Sequence, residues 1–465
     1  MRILLVSPKS TVWSSRKHIP LGLGYLAAVL EGAGHEVEIY DAVVETEPLG
    51  RLLDRGKFDL VGVTAVTPLI YEAWEVATQA KERGTVTVLG GPHPTLLPDE
   101  SLERPEVDIV VRGEGEETIV ELAQALEEGS DLEGVLGISF KKETIVHNPS
   151  RPLSEDLDSL SFPAHHLLKI ERYTNLQPLT DGLDPNARAY TVVTSRGCPY
   201  GCIFCSKAIT GRTWRPRSPE NVVAEWRWLV KDLGATEIGI TDDVMTLDAR
   251  RAKRICRLLI QEGLNHTPWI TVHGIRVNNV DEELLHLMKE AGCKRVGFGV
   301  ESGSQRVLNY MKKGQTIEEV RRAFRWSKKV GLETMGFFIF GMPTETEETM
   351  EATIRLALEL DPDLANFMIA APYPGTELYE IILHEGKLFS RDWRDFAIHD
   401  EKARFAIGEM TAELVERKWH QAYRRFYLRP GRILKRFFSL DTWRRLPLHF
   451  ANARRFFLGK LRPAG

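Results

Sequence analysis

The sequence predicts an α/β protein of two parallel-sheet units in tandem. The first is a doubly wound sheet over residues 1–145, and the second a partial TIM-type barrel of six strand–helix units over 189–400. Three observations carry this. Short apolar runs alternate with helix-period stretches, the rhythm of βα units. The rhythm stops at 146–188, a linker rich in Pro, Asp and Ser, and resumes at Ala189. Three cysteines lie within eight residues at the exit of the second unit's first strand, where a βα array carries its chemistry.

In the first unit Arg2–Ser7 reads as a strand; this opening run lacks the length and cleavage site of a signal peptide. Leu21–Ala33 is a helix, ended by Gly34, and Glu36–Tyr40 a second strand. Leu60–Ala65 and Val86–Leu89 are buried-type strands, Ile109–Val111 a shorter one, with helices over Tyr71–Arg83 and Glu116–Glu128. Ligands of such sheets lie beyond the carboxyl ends of the strands. Two exits stand out: Gly90-Gly91-Pro92-His93 and Arg112-Gly-Glu-Gly-Glu-Glu117. Paired glycines let a bulky ligand approach the backbone.

In the second unit the strands are Ala189–Thr194, Glu237–Thr241, Trp269–Gly274, Arg295–Val300, Thr334–Phe340 and Ala365–Ala370. Helices fit at Pro219–Leu233, Asp248–Gln261, Asp281–Ala291, Ile317–Val330 and Thr346–Leu360. Residues 401–465 read as a basic helical C-terminal region. From Arg417 to Arg462 there are 14 Lys/Arg and one Asp/Glu, a charge of +13, so the rest of the −4 chain carries −17. This tail interleaves its cations with Trp, Phe, Tyr and Leu. It suits a helix packed on the barrel, an anionic membrane or lipid-like substrate, or, last, nucleic acid.

An apolar content of 43% in 465 residues supplies large cores. No apolar run approaches the roughly 18–20 residues that span a bilayer, which predicts a cytoplasmic protein, with membrane association only through the tail. Five cysteines, an odd number, argue against a disulfide framework.

The segment Ser195-Arg-Gly-Cys-Pro-Tyr-Gly-Cys-Ile-Phe-Cys-Ser206 spaces its cysteines as CxxxCxxC. Gly197 and Gly201 let the loop turn tightly enough to aim three thiolates at one centre. Structural zinc wants four protein ligands, and no fourth Cys or His follows at suitable spacing. Three ligands on a four-iron cluster leave one iron open. A zinc knuckle and three buried thiols are the alternatives. Cys256 and Cys293 read as buried thiols.

With Phe204 before its last cysteine, this motif resembles the signature of radical S-adenosylmethionine (SAM) enzymes. The resemblance implies a 4Fe–4S cluster on Cys198, Cys202 and Cys205, with SAM on the open iron. An external electron donor such as flavodoxin or ferredoxin would then let the cluster cleave SAM to a 5′-deoxyadenosyl radical. It implies Phe204 against the adenine and Asp242 and Asp243 near the SAM amino group. It also implies Arg276 near the carboxylate, and Glu301 and Ser302 near the ribose. Asp243 reads equally as a helix cap before Met245–Ala249, and Arg276 as a surface ion pair. The loops Gly341-Met-Pro343 and Pro372-Tyr-Pro-Gly-Thr376 resemble the family's strand ends.

The first unit resembles the flavodoxin-like cobalamin-binding domain fused to one branch of these enzymes. That implies a cobalamin tail passing Thr64, Thr67, Gly90, Gly91 and Pro92, with His93 near the corrin or the domain interface. The DxHxxG motif is absent: His18 has no Asp two residues before it, so no histidine ligand to cobalt is expected. His165-His166 read as surface residues. The resemblance covers almost the whole chain and runs to the anaerobic magnesium-protoporphyrin IX monomethyl ester cyclase-like, hopanoid-associated group. It implies methylation of an unactivated carbon in a small or lipid-like substrate, or radical cyclisation or rearrangement without methyl transfer. A non-catalytic cobalamin and iron–sulfur sensor is the reading of another class. Methylthiotransferases are excluded because no Cys precedes Cys198, and enzymes with C-terminal auxiliary clusters because none follows Cys293.

Overall fold

The computed structural model describes residues 1–10, 19–173, 183–184, 186–397 and 401–432. The first unit is a seven-stranded sheet of β1 (Arg2–Ser7), β2 (Glu36–Asp41), β3 (Leu60–Thr64), β4 (Val86–Gly90), β5 (Ile109–Val111), β6 (Ile138–Lys141) and β7 (Ile145–His147). Its order is β2-β1-β3-β4-β5-β6-β7. β1 pairs in parallel with both β2 and β3, Ile3 opposite Val37 and Leu60. The order therefore reverses beside β1, and the carboxyl ends of β1 and β3 diverge into a crevice. Ile3, Leu4, Leu5 and Val6 are all buried, because helices cover both faces of the sheet.

The sheet is not wholly parallel. β6 runs antiparallel to β5, and β7 to β6. The sequence reading missed this hairpin and the helix Leu49–Gly56. Its signal was the apolar alternation of Ile138 and Phe140, in a strand of four residues too short to stand out.

The second unit runs β8 (Ala189–Val192), β9 (Ser195–Arg196), β10 (Arg215–Pro216), β11 (Glu237–Ile240), β12 (Trp269–Thr271), β13 (Cys293–Glu301), β14 (Glu333–Phe340) and β15 (Leu364–Ile369). Six of these form an all-parallel sheet, β8-β11-β12-β13-β14-β15, the arc of a partial barrel. β9 and β10 pair separately, as do β16 (Lys387–Leu388) and β17 (Phe405–Ala406). The crossover helices begin on side-chain caps: Ser218, Asp248, Asp281, Thr316 and Thr346 each accept from a backbone N–H of the first turn. The cap after β11 is Asp248, which leaves Asp243 without that duty.

One hydrophobic core runs through both units, from Ile3 to Phe426. The linker is pinned across the junction. Ala164 N donates to Gly24 O at 2.9 Å, Gly24 lies against Pro163, and Tyr173 OH donates to Asp41 at 2.5 Å. His165 corrects its surface assignment: only His166 is exposed, while His165 is buried edge-on against Tyr190.

Helix Ala412–Tyr427 packs on the outer strand β15. Trp419 Nε1 donates to Phe367 O at 2.8 Å and Tyr427 OH to Ala365 O at 2.7 Å. Cations of the helix and of the residues just after it find carboxylates: Arg425 on Glu351, Arg429 and Arg432 on Asp361. This part of the tail is thus a packed helix with paired charges, and residues 433–465 lie outside the described residues. Among the described residues no helix is long and apolar enough to cross a membrane.

Candidate active site

The carboxyl ends of the two sheets face each other across a cavity of about 390 Å3. One wall is built by strand exits of the first unit: Gly62 and Thr64 on β3, Gly90 at the end of β4 with Gly91 and Pro92 after it, Gly113 and Gly115 after β5. The other wall carries Ser195, Arg196, Thr241, Asp243 and His273 from the barrel, with Ile209 and Thr210 of the cysteine loop. Glycine is required at the centre of the first wall. Gly91 has φ +97°, and a Cβ there would stand 2.8 Å from Ala65 O. Gly91 therefore lets the chain turn hard against the end of β3, and the glycines of this wall keep its side-chain bulk low, so its residues fit the close approach of the flat ring and thin tail of cobalamin. The loop holding His18 lies outside the described residues.

The cysteine loop hangs from the β9–β10 pair, where Arg196 opposes Arg215. Gly197 turns it with φ +81°; a Cβ there would collide with Thr213 O at 2.1 Å. The loop is fixed from behind, Ile203 N donating to Met311 O at 3.1 Å and Ile203 O accepting from Leu378 N at 2.9 Å. Cys198 is buried, and Cys202 and Cys205 are partly exposed. Among the described residues no three His, Cys, Asp or Glu side chains converge on one ion. A four-iron cluster, three of whose irons each take one thiolate, asks for wider spacing than a single ion does. Cations attend the thiols: Lys207 Nζ is 3.2 Å from Cys205 Sγ, and Arg276 Nη1 is 3.9 Å from Cys202 Sγ. Burial pushes the Cys205 thiol up, and Lys207 pulls it down. With these cations beside them, the three residues fit an anionic cluster.

The other predicted residues divide. Arg276 stacks on Tyr200 of the loop, its guanidinium carbon 3.6 Å from the ring centre, and also donates to Lys313 O. It is therefore no surface ion pair. Glu301 closes β13 in the left-handed region, φ 64°, and accepts from buried Lys313 Nζ at 2.6 Å. Such a conformation costs about 1–3 kcal/mol. Arg276, Lys313 and Glu301 thus form one linked group beside Cys202. Asp243 faces the cavity and accepts from Thr210 Oγ1 at 2.9 Å. Phe204 packs half-buried against the core.

Asp242, Ser302, Thr67 and His93 point elsewhere. The buried Asp242 carboxylate accepts from Thr194 N, Thr194 Oγ1 and Ser195 Oγ, each at 2.6 Å, and so braces the β8 exit. Burial raises its pKa against the pull of Ser195 and Thr194. Ser302 Oγ faces Thr353 and accepts from Ser304 N. Thr67 is buried in the turn Thr67–Leu69. His93 is fully buried, its Nε2 3.0 Å from Glu100 and its ring edge-on to Trp393, so it belongs to the contact with the C-terminal segment.

Sequence reasoning missed His273, whose Nδ1 lies 3.0 Å from Thr241 O at the cavity wall. It also missed Glu345, which accepts from Gly341 N at 2.6 Å and Met342 N at 3.1 Å and is pushed up to about 7 by burial. His273 lies two residues past β12, and its place near the end of the expected strand Trp269–Gly274 was its one signal.

A parallel barrel with CxxxCxxC at its first exit, closed over by a doubly wound unit with a glycine-walled crevice, defines a radical SAM enzyme with a B12-binding domain. The models of both families match: the Radical SAM superfamily over residues 192–357 and the B12 binding domain over residues 14–123. The chain belongs to the cobalamin-binding radical SAM enzymes, whose cofactors are a 4Fe–4S cluster, SAM and cobalamin. It is 39% identical over 453 residues to an uncharacterized methyltransferase of Pyrococcus horikoshii, covering 94% of this chain and 95% of that one. It is 32% identical to the anaerobic magnesium-protoporphyrin IX monomethyl ester cyclase of Rubrivivax gelatinosus, over 92% of this chain and 76% of that one. In fold it is similar to the radical SAM methyltransferase TsrM of Kitasatospora setae, a structure with cobalamin and a 4Fe–4S cluster bound. The TM-score is 0.68 at 23% identity, over 83% of this chain and 79% of that one.

Proposed function

We propose that this enzyme transfers a methyl group from SAM to an unactivated carbon of a small or lipid-like molecule. The observation that carries the reading is the single cavity shared by the glycine exits of the first sheet and the barrel's strand ends. When bound, the cluster and SAM supply a 5′-deoxyadenosyl radical and cobalamin supplies a transferable methyl group. The chain's own part is to hold these groups face to face and keep water out. Cys198, Cys202 and Cys205 hold the cluster. Phe204, Asp243, Arg276 and Glu301 orient SAM, with Asp242 and Ser302 supporting the strand ends. Thr64, Gly90, Gly91 and Pro92 line the cobalamin cradle, with Thr67 and His93 behind it.

In this reading residues 1–145 are the cobalamin-binding domain, 146–188 the linker, 189–400 the radical SAM barrel and 401–465 the basic C-terminal region. An external flavodoxin- or ferredoxin-like donor supplies the electron. The arginines and aromatics beyond residue 432 suit peripheral contact with an anionic membrane. Cyclisation without methyl transfer is the second reading, favoured by the 32% identity to the ester cyclase.

The test is anaerobic reconstitution with cobalamin, SAM and a strong reductant, then assay of 5′-deoxyadenosine and S-adenosylhomocysteine. Both products should form, and both should vanish in the Cys198→Ala, Cys202→Ala, Cys205→Ala triple variant. Deoxyadenosine without cobalamin-dependent S-adenosylhomocysteine, with cell extract supplied as substrate, would move the cyclase reading ahead.

A further inference from the structure

Two acidic residues of the first unit grip the neck of the cysteine loop. Glu114 and Glu116 follow β5, on the exit whose Gly113 and Gly115 wall the cavity. The Glu114 carboxylate accepts from both terminal nitrogens of Arg215 at 2.8 Å and from Arg196 Nη1 at 3.2 Å. Glu116 accepts from Arg196 Nη2 at 2.6 Å. Arg215 also donates to Thr210 O and to Ser154 O of the linker, at 3.0 and 2.6 Å. Arg196 lies over the ring of Tyr25, from the helix Leu21–Gly32. The four charged side chains are 5–11% exposed.

The placement is mechanical. Arg196 precedes Cys198 by two residues, and Arg196 and Arg215 pair across β9–β10, so both ends of the cysteine loop are tied to Glu114. Burial works against the Arg196 charge, but Glu116 and Glu114 outweigh it and hold the guanidinium above its ordinary pKa. Burial would raise Glu114, but Arg215 and Arg196 pull its carboxyl below the usual range. Buried ion pairs add little stability over apolar packing of the same volume. Their bidentate geometry fixes direction instead.

We infer that Glu114, Glu116, Arg196 and Arg215 are positioning residues that lock the cobalamin-side exit in register with the cluster loop. The lock sets how efficiently radical generation is coupled to methyl transfer. This rests on the proposed function for its coupling readout, but not for its binding readout.

The test compares the full-length parent with Glu114→Gln and with the double variant Glu114→Met, Arg215→Met, which replaces the pair by apolar volume and guards the fold. Glu114→Asp is the conservative control. Iron and sulfide content, cobalamin binding by absorbance, melting temperature, and S-adenosylhomocysteine formed per 5′-deoxyadenosine are measured on each. Both lock-breaking variants should keep their iron. They should bind cobalamin at least about tenfold more weakly and lower the product ratio at least about tenfold, with Glu114→Asp recovering part of each. Parent-like cobalamin affinity and ratio in both variants overturn the lock. So does a loss of affinity that only tracks lost iron and melting temperature. If the parent makes no S-adenosylhomocysteine, the methyl-transfer reading has failed, and the affinity comparison still decides the lock.

Discussion

His165 carries a titratable ring into a place with no polar partner. It is 3% exposed, it meets Tyr190 edge-on at 5.0 Å, and neither ring nitrogen has a hydrogen-bond partner. Burial, with a smaller push from His166, lowers its pKa from 6.5 to about 4. The unfolded chain therefore takes up a proton at a pH where the folded chain refuses it. This contribution is intact above about pH 6.5 and drains away as pH falls toward 4, about 3 kcal/mol in all. His165→Phe keeps a ring of similar shape without the polar atoms. The variant should gain on the parent by about 2 kcal/mol in denaturant titrations on going from pH 7 to pH 5. A pH-independent difference would refute this account of the residue. The doublet His165-His166 gave no hint of the split, because which of two neighbours turns inward is decided by Tyr190 and Trp228, far along the chain.

At the level of elements, the strand exits matter more than the strands. Gly91 sits between β4 and the short helix Pro92–Leu96 with a backbone that L side chains rarely adopt. Gly91→Val would strain this turn and push it off the end of β3, where its Cβ would meet Ala65 O and Thr64 Oγ1, and so distort the cavity wall. Cobalamin affinity, read by absorbance, should fall at least about tenfold while iron content stays at parent level, and unchanged affinity would place the ligand elsewhere. Paired glycines after an apolar run made this exit legible in the sequence, as CxxxCxxC did for the cysteine loop. The strands themselves were legible to within a few residues because full burial writes continuous apolar runs, such as Ile3–Val6. The β6–β7 hairpin was not, since β7 is largely solvent-facing and short. Asp242 and Asp243 were adjacent in sequence and indistinguishable there. In the loop just past β11 the first turns inward to Thr194 and the second faces the cavity.

For the whole molecule, what the sequence withheld was the meeting of the two units. Glu114 and Arg196 are 82 residues apart, and neither position shows that one will cap the other. Helix Ala412–Tyr427 likewise returns to β15, with Tyr423 stacked edge-on to Phe367 at 5.2 Å, and Arg425, with Arg429 just past the helix, pairs with the barrel's carboxylates. Composition showed only a basic aromatic segment; packing decided its described part.

In the proposed enzyme cobalamin and the cluster face each other between the two sheets. The most direct measurement is electron paramagnetic resonance of the reduced cluster in the anaerobic holoenzyme, with and without one equivalent of cobalamin held as Co(II). If the two cofactors face each other across the cavity, Co(II) will broaden the cluster signal and speed its relaxation, and Gly91→Val will weaken that effect. A cluster signal that stays the same with cobalamin fully bound would contradict the shared cavity and, with it, the methyl-transfer reading.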